Sequence, residues 1–295
     1  MNKLMILTPL IFFLTACGRN HQDDISTNGI NVSVQNPVNE EKLDSSEFLS
    51  LHMIYVGEGD ALLLIQGEYS MLIDGGEIEM GNRVVSYLLS YGIDNLTYLV
   101  NTHPFSDHVG GLSAVLRNIR VENALISMIT HNTPIFYDFL DTLEESSATV
   151  VSPFAGDIFT LGQANITVLS PNSTDLWENR ANFSIVLRVE FGNTSFLLMG
   201  DAMREVEASL LDSSANLSAN VLKVGRHGIA SSTTTAFLEA VNPNIALIST
   251  GEDGFLSSEV LSRLSNSNIP VFRTDLNGNV VVTSDGNTIS VMVDR

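Results

Sequence analysis

The sequence predicts an α/β domain made of two mixed β-sheets stacked face to face, with helices outside. Two separate runs of short aliphatic strands are each interleaved with helical periodicity. One apolar strand ends directly on a loop that holds two histidines and an aspartate, and no repeat of fixed period or low-complexity break divides residues 48–295. A hydrophobic content of 44% over 295 residues is enough for a sizeable core.

The chain opens as a targeting segment. Lys3 supplies a positive charge, residues 4–14 form an apolar run too short to span a bilayer, and Leu14-Thr15-Ala16-Cys17 follows at once. Small residues before a cysteine, with an aliphatic residue three before it, resemble the lipobox of bacterial lipoproteins. The resemblance implies a signal peptide over 1–16, a lipid on Cys17 and export to the outer face of a bacterial membrane. Cys17 is the single cysteine, so no internal disulfide is available, and a free thiol in an uncleaved leader is the plainer alternative. Residues 17–47 are rich in Asn, Asp, Ser and Glu without sustained apolar periodicity, and are expected to form a disordered tether.

From residue 48 the pattern becomes β-rich. Strands are expected over 51–56, 61–65 and 70–73, a helix over 82–91 from the spacing of Val84, Val85, Leu88 and Leu89, and a buried strand over 96–100. The next helix starts near Gly111. A hairpin over 184–190 and 194–199 turns at Gly192-Asn193, and a helix over 203–211 follows Gly200-Asp201. Strand 221–224, helix 234–241, strand 245–249, helix 258–265 and a last group of short strands from Val271 complete the domain, read as one unit over 48–295.

The charge balance, 34 acidic against 14 basic residues for a net −20, argues against extended nucleic-acid binding, which draws affinity from clustered Lys and Arg. A local phosphate site remains compatible with it. The chemistry concentrates in Thr102-His103-Pro104-Phe105-Ser106-Asp107-His108-Val109-Gly110-Gly111, where a strand passes into a helix. Imidazole and carboxylate are the usual donors for zinc and related cations, and two histidines with a carboxylate in six residues can converge on one ion. The plainer readings are that His103 is a capped loop histidine and Asp107 the cap of the following helix.

This loop resembles the His-x-His-x-Asp-His signature of the metallo-β-lactamase superfamily, and within it the ComEC-type hydrolase domains of competence proteins. The likeness continues in order. Val56-Gly57-Glu58-Gly59-Asp60-Ala61 is similar to the family's opening Val-Gly-Gln-Gly-Asp-Ala, and Leu72-Ile73-Asp74-Gly75-Gly76 to its next turn. Asn182-Phe183-Ser184-Ile185-Val186-Leu187, Phe196-Leu197-Leu198-Met199-Gly200-Asp201, Val221-Leu222-Lys223-Val224-Gly225-Arg226-His227-Gly228 and Arg273-Thr274-Asp275 follow.

The resemblance implies an αββα sandwich, the metallo-β-lactamase fold, with one or two divalent ions at the edge between the sheets: zinc first, manganese or iron as alternatives. His103 would belong to the first metal site, Asp107 and His108 to the second, Asp201 would bridge them, and His227 is the remaining candidate ligand. The implied reaction is hydrolysis of a phosphodiester or related phosphate ester by metal-bound hydroxide, since such an ion lowers the pKa of its water to about 7. Asp107 would orient that hydroxide or pass on its proton, and the planar fork of Arg226 would hold a substrate phosphate.

Three departures leave the number of ions, and activity itself, open. Phe105 replaces a donor, Arg226-His227 replaces a His-His pair in which either member is the candidate ligand, and Phe255-Leu256-Ser257 replaces a Gly-His-Pro segment. The alternative is an inactive binding or scaffold lipoprotein. Asp60 and Asp74 are expected either to bond backbone amides or to orient His103 or His108. Lys223 faces the same way as Arg226 only if the strand register permits. His21, His52 and His131 read as non-catalytic, and Trp177 as packing. Substrate identity and oligomeric state are not encoded in any motif.

Overall fold

The computed structural model describes residues 23–27, 30–35 and 47–295. The expected signal peptide and Cys17 lie outside the described residues.

The first strands that the alternation predicts form a meander: β3 (Leu49–Met53), β4 (Leu62–Gln66) and β5 (Tyr69–Ile73) pair antiparallel in order. Each sends alternate residues to opposite faces. Leu51, Met53, Leu62, Leu64, Met71 and Ile73 meet the second sheet. Leu63 and Leu72 pack beneath helices α1 (Gly81–Ser90), α3 (Leu112–Asn118) and α4 (Pro134–Glu145). β6 (Asn95–Asn101), β7 (Arg120–Ile126) and β8 (Thr149–Val151) extend this sheet in parallel.

The second sheet contains β9 (Ile158–Leu161), β10 (Ala164–Ser170), β11 (Val186–Phe191), β12 (Thr194–Leu198), β13 (Val221–Lys223), β14 (Ile245–Ile248) and β15 (Val271–Arg273). Its last four strands are parallel, which is why they read as continuous apolar runs rather than alternation: both faces are covered. Helices α5 (Arg204–Asp212), α6 (Thr235–Val241) and α7 (Ser258–Asn266) supply the outer cover through Val206, Phe237 and Val260.

Two mixed sheets with helices outside are thus observed as expected, with one correction to the assignment. The last strands are β16 (Val280–Ser284) and β17 (Ile289–Val293), an antiparallel pair. They cross to the first sheet, where β16 pairs antiparallel with β3. The segment expected to be a disordered tether holds two strands, β1 (Asp23–Thr27) and β2 (Ile30–Gln35), the second pairing in parallel with β17. The physical reason is visible in sequence: Ile30, Val32 and Val34 alternate with polar residues, and the outer edge of β17 offers unpaired backbone groups.

Strands β5, β6, β12, β13 and β14 all deliver their C-terminal ends to one edge of the sandwich. There the Ile185 amide donates to the Thr102 carbonyl at 3.0 Å and ties the two sheets together. This edge carries the histidines.

Candidate metal centre

The loop after β6 runs into a four-residue helix, α2 (Ser106–Val109), before α3. Neither α2 nor α3 has a side-chain cap, so Asp107 is not used as a helix cap. Its carboxylate turns into the sheet edge, with Oδ2 3.6 Å from His108 Nε2 and 3.5 Å from His227 Nε2. The loop packs tightly against the turn after β3: a Cβ on Gly59 would lie 2.1 Å from the Asp107 carbonyl oxygen. Only a residue without a side chain permits that approach.

Asp201 follows β12 and stands at the centre. Its Oδ1 lies 3.3 Å from His108 Nε2 and 3.4 Å from His227 Nε2. Its Oδ2 faces the other way, 3.5 Å from His103 Nε2 and 3.8 Å from Arg226 Nε. Donor atoms of Asp107, His108, Asp201 and His227 lie within 4.8 Å of one another, with His103 on the far side of the Asp201 carboxylate. All five expected ligands are therefore brought to one place. Between the members of the Arg226-His227 pair, it is His227 that points into the cluster.

The backbone explains that choice. Arg226 and His227 both adopt left-handed conformations, with φ of 45° and 52°. For non-glycine residues this costs roughly 1–2 kcal/mol each, and the Arg226 amide bond to the Gly200 carbonyl at 2.9 Å helps to hold it.

The three imidazoles are held with one nitrogen tied back and the other facing inward. His108 Nδ1–H donates to Asp74 Oδ2 at 2.8 Å, and His227 Nδ1–H donates to the Ser249 carbonyl at 3.1 Å. His103 Nδ1–H donates to Thr102 Oγ1 at 3.1 Å, and that hydroxyl donates to Asp74 at 2.5 Å. In each ring the hydrogen bond on Nδ1 leaves the Nε2 lone pair for a cation. Nε2 of His103, His108 and His227, and Oδ1 of Asp201, are buried without a hydrogen-bond partner. Buried polar atoms are rarely left unpaired, and three of these, Nε2 of His108 and His227 with Oδ1 of Asp201, face one another and fit a cation between them, while His103 Nε2 faces the other oxygen of Asp201.

A second acidic group, Asp60, Asp74 and His108, also lies within 4.8 Å. Its carboxylates are already committed. Asp74 accepts from Thr102 N, Thr102 Oγ1 and His108, and Asp60 accepts from Lys223 Nζ and Ser249 Oγ. The expectation that Asp74 either bonds backbone or orients histidines resolves to both. Lys223 does not share a surface with Arg226: it is fully buried beneath the site. Sequence reasoning missed the Asp60–Lys223–Ser249 network. The available signal was a lysine inside an otherwise apolar strand, which requires a buried anion.

The electrostatics describe a site that holds protons until a cation displaces them. Burial works against charged His108, yet Asp201, Asp74 and Asp107 around it raise its pKa well above the ordinary value. His227 is raised for the same reason, burial being outweighed by Asp201 and Asp60. For Asp107 burial raises the pKa, but His108 and His227 pull it down to about 2. Asp201 is held well below the carboxylate range, burial being overcome by His108, His227 and His103.

Phe105 occupies the place of a missing donor, with its ring edge-on to His103 at 4.9 Å and tilted against His131 at 5.3 Å. The turn that leads into Phe255-Leu256-Ser257, where the later histidine is absent, is held by Glu58, whose carboxylate accepts from the amides of Gly251 at 3.0 Å and Phe255 at 3.4 Å.

The family model described as Metallo-beta-lactamase superfamily matches residues 54–252. Among curated proteins, the chain is similar to ComE operon protein 3 of Bacillus subtilis (strain 168), 29% identical over 249 residues covering 77% of this chain and 32% of that protein. It is also similar to Recombination protein 2 of Haemophilus influenzae, 28% identical over 235 residues covering 77% of this chain and 28% of that protein. The chain thus spans about a third of the length of the curated relatives it matches.

Among solved structures it resembles the metallo-beta-lactamase fold protein YhfI from Bacillus subtilis, with a TM-score of 0.55 and 11% identity, covering 80% of this chain and 100% of that one. It also resembles CmlA, a diiron beta-hydroxylase from Streptomyces venezuelae, with a TM-score of 0.53 and 12% identity, covering 83% of this chain and 54% of that one. At such identities the shared property is the fold, which is the metallo-β-lactamase fold that the sequence predicts.

Proposed function

The chain belongs to the metallo-β-lactamase superfamily, and from that premise we propose that it is a metal-dependent hydrolase of phosphodiesters or related phosphate esters, acting outside the cytoplasm. The observation that carries the reading is the convergence of three buried, unpartnered donor atoms, Nε2 of His108 and His227 and Oδ1 of Asp201, beside the Asp107 carboxylate. Asp107, His108, Asp201 and His227 would hold the ion, and two nitrogen with two oxygen donors suit zinc, with manganese or iron as alternatives. A divalent ion there would acidify water and neutralise charge on the ester.

The chain's own residues support the rest of the reaction. Asp107 stays anionic at neutral pH and its side chain is 26% exposed, so it can accept a hydrogen bond from an incoming water and orient it. Arg226 is 27% exposed beside the cluster, and its planar fork suits a phosphate oxygen. Asp74 and Ser249 keep the rings of His108 and His227 in place. The net charge of −20 favours a small ester over extended nucleic acid.

The lipobox-like Leu14-Thr15-Ala16-Cys17 supports a lipid anchor. Among the described residues no helix is long and apolar enough to cross a membrane. The likeness to proteins named for competence, such as Competence protein ComA of Neisseria gonorrhoeae, is compatible with a surface location.

Phe105 in a donor's place favours a second reading, an inactive binding or scaffold lipoprotein. Metal content by plasma mass spectrometry separates the two, measured beside the Asp107→Ala/His108→Ala variant and with turnover of bis(p-nitrophenyl) phosphate. Bound metal and turnover lost together in the variant support the hydrolase. Metal-free protein after reconstitution at neutral pH ends that reading and leaves the scaffold.

A further inference from the structure

We infer that the centre takes a single metal ion, and that the Arg226 guanidinium stands in for a second cation on the outer oxygen of Asp201. The inference deepens the hydrolase reading and rests on it for its catalytic meaning.

The two oxygens of Asp201 have different neighbours. Oδ1 faces His108 and His227 within the four-donor cluster, and Oδ2 faces His103 at 3.5 Å and Arg226 Nε at 3.8 Å. A carboxylate between two ions would present one oxygen to each. On the Oδ2 side the donor set is too small for an ion: among the described residues His103 belongs to no group of three donors within ligand reach. The ring of Phe105 lies 4.9 Å from that of His103, so the flank where another donor would stand is hydrocarbon.

The cation that remains on this side is covalently tethered. Arg226 is fixed by its left-handed backbone, and its Nη1–H donates to Met203 Sδ at 2.7 Å. Its guanidinium carries a delocalised positive charge that balances Oδ2 and repels a divalent ion from the same place. It also gives what a second ion would have given an ester, a fixed positive charge with N–H donors for a phosphoryl oxygen. Phe105 and Arg226 then form a matched pair: one removes a ligand and the other supplies the missing charge.

The test loads the 295-residue chain with manganese(II), removes excess by gel filtration, and reads ions per chain together with the electron paramagnetic resonance spectrum. One ion with an isolated six-line signal is expected. Two ions with a spin-coupled signal would overturn the inference while leaving the hydrolase reading intact, whereas no bound ion would overturn both. Phe105→His alone should stay at one ion, because the guanidinium is still present. Phe105→His/Arg226→Gly should rise to two, glycine being at ease in the left-handed conformation. A second ion in Phe105→His alone, or a folded double variant that stays at one, would show that Arg226 does not hold the second position.

Discussion

Lys223 and Asp60 form an ion pair sealed from solvent beneath the candidate metal centre, the lysine fully buried and the aspartate 1% exposed. Burial would raise the pKa of Asp60, but Lys223, then His227 and His108, outweigh it and keep the carboxylate charged. Asp60 Oδ1 also lies 3.6 Å from His227 Nδ1, so the pair underpins a candidate ligand. Lys223→Met would leave a buried carboxylate without its partner and is expected to cost about 3–5 kcal/mol. Lys223→Met/Asp60→Leu should recover most of that loss, because burying neither charge is close to neutral. Urea unfolding of both variants decides it: a single variant within 1 kcal/mol of the parent, on the order expected for surface changes, would mean that the pair is not sealed.

How much of this was legible depended on where the donors lie in sequence. His103, Asp107 and His108 are close neighbours, so their convergence could be read directly, whereas Asp201 and His227 came only through the order of motifs. The choice between Arg226 and His227 was hidden because it is made by two successive left-handed residues, which no hydrophobic pattern reports. Lys223 was obscured by its strand. β13 is covered on both faces, so period two gives no inside and outside. The elements between Arg120 and Ser170 were not assigned at all, although Thr133-Pro134 is a helix start, with Thr133 Oγ1 accepting from the Phe136 amide at 3.4 Å.

Asp74 holds two histidines at once, His108 directly and His103 through the Thr102 hydroxyl. Asp74→Asn preserves the shape and tolerates the left-handed φ of 58°, but replaces one acceptor oxygen with a donor. The expected outcome is a 10- to 100-fold loss of metal affinity, measured by competition with a chromogenic chelator. Affinity within twofold of the parent would show that ring orientation does not depend on this carboxylate.

His52 predicts an acid sensitivity that is independent of the candidate metal centre. It lies on the helix side of β3, its Nδ1 3.0 Å from the Tyr87 hydroxyl, and burial lowers its pKa from 6.5 to about 3. The folded state therefore refuses a proton that the unfolded chain accepts below about pH 6.5. Its contribution is complete above that pH and declines as pH falls toward 3, by up to about 1.4 kcal/mol per unit. His52→Gln should flatten the fall in stability between pH 6.5 and 4, followed by urea unfolding of the metal-free protein. An unchanged slope would mean that the acid response comes from other groups.

Gly59 tests whether the ligand loop is positioned by backbone contact rather than by its own sequence. Its Cα hydrogens lie against the backbone of the loop, and the Asp60 amide donates to the Asp107 carbonyl at 3.1 Å. An added methyl would meet that carbonyl at 2.1 Å, a rigid atom of a tightly held turn, so the loop must shift. Gly59→Ala is expected to lose about 1–3 kcal/mol of stability and to weaken metal binding, because Asp107 and His108 move with the carbonyl. Gly57→Ala, two residues away, has open space at the Cβ position and should lose only what its φ of 77° demands, with metal binding unchanged. Measured side by side by thermal unfolding and metal titration, a difference confined to Gly59 would place the control of the centre in this one backbone approach. Equal effects at both positions would assign it to the flexibility of the turn.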